Sequence, residues 1–92
     1  MAKRTKLEIL KDILKLIQNN HQIKPTPLLR KTNLSSTRFK EYYNELIQKE
    51  FIKEIGIKNK HIELTEKGQR YLQKYQTIQN FIQEFDLWIL EK

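Results

Sequence analysis

The chain contains few of the residue types that build catalytic or metal-binding sites. It has no cysteine in its 92 residues, which excludes a disulfide framework and a zinc-thiolate site. Its only glycines, Gly56 and Gly68, cannot form a glycine-rich phosphate loop. The two histidines, His21 and His61, have no partners at ligand spacing, so we interpret them as surface or loop residues. The carboxylates are scattered and no Ser-His-Asp set occurs. We therefore expect no enzyme activity, no metal, no cofactor and no small-molecule ligand.

Long apolar runs are absent as well, which predicts no transmembrane segment and no membrane partner. The first ten residues, "MAKRTKLEIL", are basic but lead directly into an amphipathic pattern, which argues against a signal peptide. Peripheral binding to an anionic membrane through this basic segment is disfavoured, because no basic amphipathic helix carries aromatic anchors on its apolar face. The expected location is the cytoplasm.

Positive charge is plentiful and unevenly distributed. The formal net charge is +7, with 14 Lys and Arg against 7 Asp and Glu in residues 1–64, and 4 against 4 in residues 65–92. The whole excess therefore lies in the first two-thirds of the chain. A localised positive field of this kind favours a polyanionic partner, above all nucleic acid.

The first helix is predicted over residues 5–19. Thr5 followed by Glu8 matches a capping box. Apolar residues follow at 3- and 4-residue spacing and predict one buried face. They are Leu7, Leu10, Ile13, Leu14 and Ile17.

Two further helices are predicted close together. The segment 25–32 forms a short helix, with Thr26 as its N-cap and Pro27 at its first helical position. "TNLS" makes a tight turn, and Ser35 caps a third helix that ends at about Lys49 or Glu50. Two short helices joined by a tight turn form a helix-turn-helix pattern.

A β-hairpin and a long last helix follow. Ile55 and Ile57, then Ile62 and Leu64, alternate with polar residues on either side of a "KNK" tip. Gly56 suggests a bulge or a close backbone approach, and Gly68 suggests close packing at the start of the helix capped by Thr65. The element order predicts a mainly α fold with a small β-hairpin, a winged helix-turn-helix, over residues 1–68. Residues 66–92 form a C-terminal dimerisation helix.

That last helix is longer than the domain can cover. From residue 66 to residue 91 it would be about 39 Å long, whereas a domain of this size is only about 25–30 Å across. Its apolar residues follow an unbroken heptad pattern, which predicts a homodimer with paired helices. The alternative is a helix broken near Thr77 or Asn80 that folds back onto the core. The predicted dimer interface comprises Tyr71, Tyr75, Ile78, Ile82, Phe85 and Ile89.

The third helix and its neighbours are the candidate DNA-binding residues. The exposed face of this helix would enter the major groove, while basic residues beside it and at the hairpin tip would contact phosphates. Before the first helix, Lys3, Arg4 and Lys6 would form a flexible basic arm. The predicted DNA-binding residues are Arg30, Lys31, Ser36, Thr37, Arg38, Lys40, Asn44, Lys58, Asn59 and Lys60.

Two acidic residues weaken this prediction. Glu41 and Glu45 would repel phosphate, so the electrostatic attraction would come mainly from the arm, the second helix and the wing. Such a helix could instead bind protein, so a protein-interaction module on the same fold stays the alternative. The concentration of positive charge favours double-stranded DNA.

The run "TNLSSTRFKEYYNELIQKEFIKE", followed by "IELTEKGQRYLQKYQTIQNFI", resembles the small archaeal winged-helix proteins of the Sulfolobus 10a type. The resemblance covers about residues 7–90. It implies a homodimer through an antiparallel coiled coil of the last helix. It also implies double-stranded DNA binding in a nucleoid-associated, chromatin-type or transcription-regulating role. The sequence leaves open a cellular, mobile-element or viral origin.

Overall fold

A computed structural model describes residues 4–86 as three helices, a β-hairpin and a fourth helix. This order confirms the predicted winged helix, which is mainly helical with one small antiparallel sheet. The described part is elongated, with principal extents of 48 × 28 × 21 Å. The elements are α1 (Lys6–Asn19), α2 (Pro25–Thr32), α3 (Ser36–Gln48), β1 (Ile52–Ile55), β2 (His61–Leu64) and α4 (Glu66–Glu84).

Helix α1 forms the centre of the hydrophobic core. The capping box is present, since the Thr5 hydroxyl accepts from the Glu8 amide at 3.2 Å and the Glu8 carboxylate accepts from the Thr5 amide at 3.1 Å. The predicted apolar face is buried except for Leu7, which is about half exposed. Its buried side chains are Ile9, Leu10, Ile13, Leu14 and Ile17, and they pack with Leu28, Phe39, Leu46, Ile52 and Ile62 from the other elements.

Helix α2 has the predicted range, residues 25–32, but a different N-cap. Its N-cap is Lys24 and Pro25 is its first residue, so Thr26 is not the cap and Pro27 is not the first helical position. The reason is that a residue before proline favours an extended backbone, as Lys24 adopts. Proline also fits the first helical position, where no N–H partner is needed.

The turn between α2 and α3 is held by a buried threonine. The Thr32 hydroxyl donates to the Leu29 carbonyl at 2.7 Å and accepts from the Leu34 amide at 3.3 Å. Asn33 adopts the left-handed conformation, with φ of 61°, which asparagine tolerates better than most residues. The Ser35 hydroxyl then accepts from the Arg38 amide at 3.2 Å, which confirms the predicted cap of α3.

The hairpin pairs β1 with β2 in the register Ile52 with Leu64 and Ile55 with His61. The wing loop, residues 56–60, contains the predicted tip but also Ile57, which the sequence placed in the alternating strand pattern. The strand ends because Gly56 has a φ of 95° and turns the chain. On the other side of the hairpin, the Ile62 amide donates to the Ile23 carbonyl at 2.8 Å. The α1–α2 connection thus lies along the outer edge of β2.

Gly68 makes the predicted close contact where α4 leaves the hairpin. A Cβ atom there would lie 2.2 Å from the Phe51 carbonyl oxygen. The same carbonyl accepts from the Thr65 amide at 3.1 Å, and the Thr65 hydroxyl caps α4 by accepting from the Gly68 amide at 3.1 Å. The start of α4 is therefore fixed against the base of the wing.

Helix α4 ends at Glu84, which is earlier than the predicted end at residue 91. Phe85 is its C-cap, and Asp86 has a positive φ of 55°. This conformation stops the helix without proline or glycine, so the sequence gives no visible stop signal. The helix is not broken at Thr77 or Asn80, which both lie within it.

Candidate nucleic-acid interface

The side chains predicted to contact bases are exposed on α3. The burial of Phe39 and Leu46 fixes the inner face of this helix, so its opposite face points to solvent. The exposed residues include every predicted member on this helix, together with Glu41. They are Ser36, Thr37, Arg38, Lys40, Glu41 and Asn44.

Glu45 does not belong to this exposed face, which corrects the prediction that it would repel phosphate beside Glu41. Its carboxylate oxygen lies 2.8 Å from Lys6 Nζ of α1 and 3.1 Å from Lys49 Nζ. Hydrogen bonds from Lys6 and Lys49, in that order, lower the pKa of Glu45. Glu45 therefore ties α3 to α1, and α3 presents one acidic residue fewer than the sequence suggested.

Arg38 makes contacts on its own helix. Its guanidinium donates to the Tyr42 hydroxyl at 3.0 Å and lies 5.7 Å from the centre of the Tyr42 ring. Arg38 and Tyr42 lie one turn apart, so the contact holds the guanidinium along the surface of α3. This position suits a contact with a phosphate at the side of a groove better than a contact with a base.

Basic residues lie on the two elements that pack against α3. Arg30 and Lys31 occupy the last turn of α2 and are exposed. Lys58, Asn59 and Lys60 are exposed in the wing loop, where the Lys60 ammonium is 3.9 Å from the Glu54 carboxylate. Helix α2 and the hairpin, which both contact α3, thus each carry exposed cations.

Tyr43 links α3 to the wing. Its hydroxyl donates to the Glu54 carboxylate on β1, and its ring stacks on Phe39 at a centroid distance of 5.5 Å. Burial, together with the Glu54 hydrogen bond, raises the pKa of Tyr43 above its usual range. The tyrosine therefore stays a hydrogen-bond donor and holds the base of the wing beside α3.

The basic segment before α1 is not a free arm over its described residues. Arg4 donates to Asp12 at 2.8 Å and to the Thr32 carbonyl at 3.4 Å. Lys6 is the first residue of α1 and pairs with Glu45. Lys3 lies outside the described residues. The flexible-arm prediction is thus wrong for Arg4 and Lys6. The partner of Arg4, Asp12, lies eight residues further along the chain, and the partner of Lys6, Glu45, was expected to face DNA.

The predicted dimer residues have different environments along α4. Tyr71 and Tyr75 are half-buried, and Tyr71 packs edge-on against Phe51 and donates to the Leu7 carbonyl at 2.9 Å. Burial raises the pKa of Tyr71 to about 12. Ile82 is only 8% exposed, whereas Ile78 and Phe85 are about half exposed. Ile89 lies outside the described residues.

Phe81 adds to the exposed apolar surface of α4, although the heptad pattern left it out. It is about half exposed, and its ring centre lies 4.9 Å from that of Phe85. The spacing of four residues that links Phe81 to Phe85 could have identified it. The α4 apolar surface, defined as Ile78, Phe81 and Phe85, is therefore aromatic at its far end.

Metal binding and membrane insertion are two further possibilities for residues 4–86. No group of three or more His, Cys, Asp and Glu side chains in this part could hold a metal ion. Over the same residues, no helix combines the length and the apolar character needed to cross a lipid bilayer.

A helix-turn-helix followed by a two-stranded wing defines a class of DNA-binding domain in which the second helix of the motif enters the major groove. The chain belongs to this class: residues 3–83 match the winged helix-turn-helix family. The winged-helix part of the resemblance is thereby confirmed, while the narrower Sulfolobus 10a type stays a prediction.

Two solved structures show the same fold. F-93 of SSV1 superposes with a TM-score of 0.67 at 26% identity, over 90% of this chain and 99% of F-93. The M. tuberculosis transcriptional regulator MosR superposes with a TM-score of 0.61 at 19% identity, over 85% of this chain and 60% of MosR. A comparison with curated protein sequences gave no match.

Proposed function

We propose that the protein is a non-enzymatic transcriptional regulator or chromatin-associated protein that binds double-stranded DNA with α3 in the major groove. The observation that carries this proposal is the exposed polar face of α3, together with the exposed cations of α2 and of the wing loop. Membership of the winged helix-turn-helix family supports it. The similarity to F-93 adds support at the level of the fold. The protein would be cytoplasmic and nucleoid-associated.

The chemistry of the α3 face suits contacts with base edges. Asn44 can pair with adenine and Lys40 can donate to guanine, while Ser36 and Thr37 can donate or accept. Glu41 can accept from the amino group of cytosine, so one acidic residue on this face is compatible with DNA binding. We assign Arg38 and the cations of α2 and the wing loop to phosphates, which set affinity more than specificity.

Glu41 also favours the alternative function, a protein-interaction module. It is exposed in the middle of the α3 face and has no ion pair within residues 4–86. A basic partner protein would pair with Glu41, whereas DNA requires that Glu41 meet a base rather than a phosphate. The placement of Glu45 away from this face weakens the alternative, because it halves the acidic charge available there.

We further propose a homodimer through α4. Leaving Ile78, Phe81 and Phe85 in water keeps apolar area exposed, and covering one such side chain contributes roughly 1.5–3 kcal/mol. A second copy is the simplest cover, because the same surface is present on each chain. An antiparallel arrangement, as the resemblance to the Sulfolobus 10a type implies, would place one DNA-binding domain at each end of the pair.

A titration of labelled random-sequence duplex, followed by fluorescence anisotropy at two salt concentrations, tests the DNA proposal. We expect binding at low salt that weakens steeply as salt rises, because cations that neutralise phosphates release counterions. Absence of binding at low salt would contradict the proposal and favour the protein-interaction module.

Variants separate base contacts from phosphate contacts. Lys58→Ala with Lys60→Ala should weaken all duplexes alike and reduce the salt slope by about 2, roughly one per phosphate contact. Asn44→Ala should instead change the preference between sequences, with a cost of about 1–3 kcal/mol at the best site. Identical behaviour of the two variants would show that α3 does not contact bases.

A further inference from the structure

Ile57 is the most exposed large apolar side chain of the described residues. It is 91% exposed, whereas Leu7, Ile78, Phe81 and Phe85 are between 48% and 56% exposed. An isolated exposed apolar residue is common on protein surfaces. The position of Ile57 is the informative point, because it lies in the wing loop beside Lys58, Asn59 and Lys60.

The wing loop presents Ile57 on a compact turn. Gly56 has a φ of 95°, and a Cβ atom there would lie 3.2 Å from the Asn59 carbonyl oxygen, so the two ends of the loop approach each other. Lys58 and Lys60 are exposed on the same loop. An exposed apolar side chain thus shares the loop of the hairpin with two exposed cations, Lys58 next to it and Lys60 three residues further on.

The homodimer contact that we propose for α4 would not bury Ile57. The two strands have four residues each, so the loop lies about 13 Å from the point where α4 begins. The positive charge of the neighbouring lysines indicates which kind of partner would contact Ile57. An apolar residue that shares a short loop with two lysines fits a groove whose walls carry phosphates and whose floor is formed by stacked bases.

We propose that Ile57 is a wedge that enters the minor groove of bound DNA and partly unstacks one base step, with Lys58 and Lys60 on the flanking phosphates. The inference rests on the proposed DNA binding and adds a specificity-determining residue to it. Apolar side chains such as isoleucine insert between base steps in proteins that bend DNA from the minor groove. The easiest step to unstack is the pyrimidine–purine step TA. The wing would therefore favour flexible A·T-rich DNA.

Two duplexes of equal length and pure A·T content test the wedge. One contains repeated TA steps and the other an uninterrupted run of adenines, so they present the same minor-groove acceptors but differ in stiffness. Dyes at the two ends report bending by energy transfer, and anisotropy reports affinity. For the wild-type chain we expect bending of the TA duplex. We also expect the wild-type chain to prefer the TA duplex over the adenine-run duplex more strongly than the Ile57→Ser variant does.

Three variants complete the experiment. Ile57→Ser should abolish the bend and lower affinity for the TA duplex by about tenfold, with a smaller loss on the adenine-run duplex. Ile57→Leu should retain the bend, since leucine is also an apolar wedge. Lys58→Ala should reduce the salt slope by about 1 while the bend persists. Because Ile57 is exposed, these changes leave the core intact.

The outcomes distinguish the wedge from the DNA proposal on which it rests. If the wild-type chain binds neither duplex at low salt, the DNA proposal itself fails. If the chain binds DNA and Ile57→Ser bends and discriminates the duplexes like the wild type, the wedge alone is refuted. Equal losses on both duplexes without a change in bending would also refute it. A lower mass of free Ile57→Ser by light scattering would assign Ile57 to a contact between copies instead.

Discussion

Gly68 has no side chain, and this allows the start of α4 to pack closely against the base of the wing. Replacing it with alanine places a Cβ atom 2.2 Å from the Phe51 carbonyl oxygen, which belongs to the backbone and cannot rotate away. The better helix propensity of alanine, worth about 1 kcal/mol, opposes this clash but does not relieve it. We expect Gly68→Ala to lower the free energy of unfolding by about 1–3 kcal/mol net. Urea denaturation followed by circular dichroism measures this change.

Gln73→Ala is the matched control for this substitution. Gln73 is exposed on the same helix, so its replacement should leave stability nearly unchanged. Equal stability of Gly68→Ala and the wild type would show that Phe51 moves away at little cost, and that Gly68 is not needed for the junction.

Individual side chains differ in how far the sequence determines their role. The close contact of Gly68 was predictable, because glycine in the first turn of a helix is costly without a packing reason. The direction of Glu45 was not predictable, since its partner Lys6 lies on another helix and only the tertiary fold brings them together. Ile57 was misplaced because apolar alternation continued through Gly56, although a glycine with positive φ ends the strand.

At the scale of elements, the ion pairs of Glu45 connect α1 to α3. The folded chain lowers the pKa of Glu45, so the folded state holds fewer protons there than the unfolded state. The resulting stabilisation is present above the ordinary pKa of 4.5 and is lost as the pH falls through the lower folded pKa. Glu45→Gln should therefore destabilise the protein at pH 7, and its difference from the wild type should shrink in acid.

Glu41→Gln provides the control for this pH dependence. Glu41 lies one turn earlier on α3, is exposed and has no ion pair within residues 4–86. The urea midpoint of Glu45→Gln should therefore differ from that of the wild type at neutral pH and approach it in acid, whereas Glu41→Gln should follow the wild type at both pH values. A Glu45→Gln difference that persists unchanged in acid would contradict the role assigned to the ion pairs.

Helix boundaries were predictable where their signals are local. The caps at Thr5 and Ser35 involve residues only three positions apart, and both form as expected. The range of α2 was predicted correctly, but its N-cap was wrong because Pro25 and Thr26 offer competing signals, and the proline prevails. The end of α4 at Glu84 has no local signal, since Asp86 adopts its positive φ without a glycine.

On the scale of the whole molecule, part of the heptad pattern of α4 makes contacts within the chain. Tyr71 occupies a heptad position but packs on Phe51 of its own chain. Periodicity alone cannot distinguish a contact within the chain from a contact between chains. The α4 apolar surface remains exposed, so the proposed contact between copies is now concentrated at Ile78, Phe81 and Phe85.

Charged substitutions on this surface test the dimer. Ile78→Asp combined with Phe85→Asp should change the mass in solution from twice 11.2 kDa to 11.2 kDa, since burying two unpaired carboxylates at an interface is strongly unfavourable. Both side chains are about half exposed, so the chain itself should stay folded. Multi-angle light scattering measures the mass, and circular dichroism verifies folding.

The exposed residues Gln76 and Gln83 give a control with the same added charge on the same helix. Gln76→Asp combined with Gln83→Asp should leave the dimer intact. A monomeric wild-type chain, or a double Ile78 and Phe85 variant of unchanged mass, would refute pairing through the α4 apolar surface.

The hydrogen bond from the Ile62 amide to the Ile23 carbonyl also bears on aggregation. A two-stranded hairpin with an open edge is a template for strands of other chains. The α1–α2 connection occupies the outer edge of β2 at Ile62, and the other strand exposes the charged side chains of Lys53 and Glu54. The hairpin is thereby a poor site for strand addition, which leaves the wing accessible and agrees with the proposed association through α4.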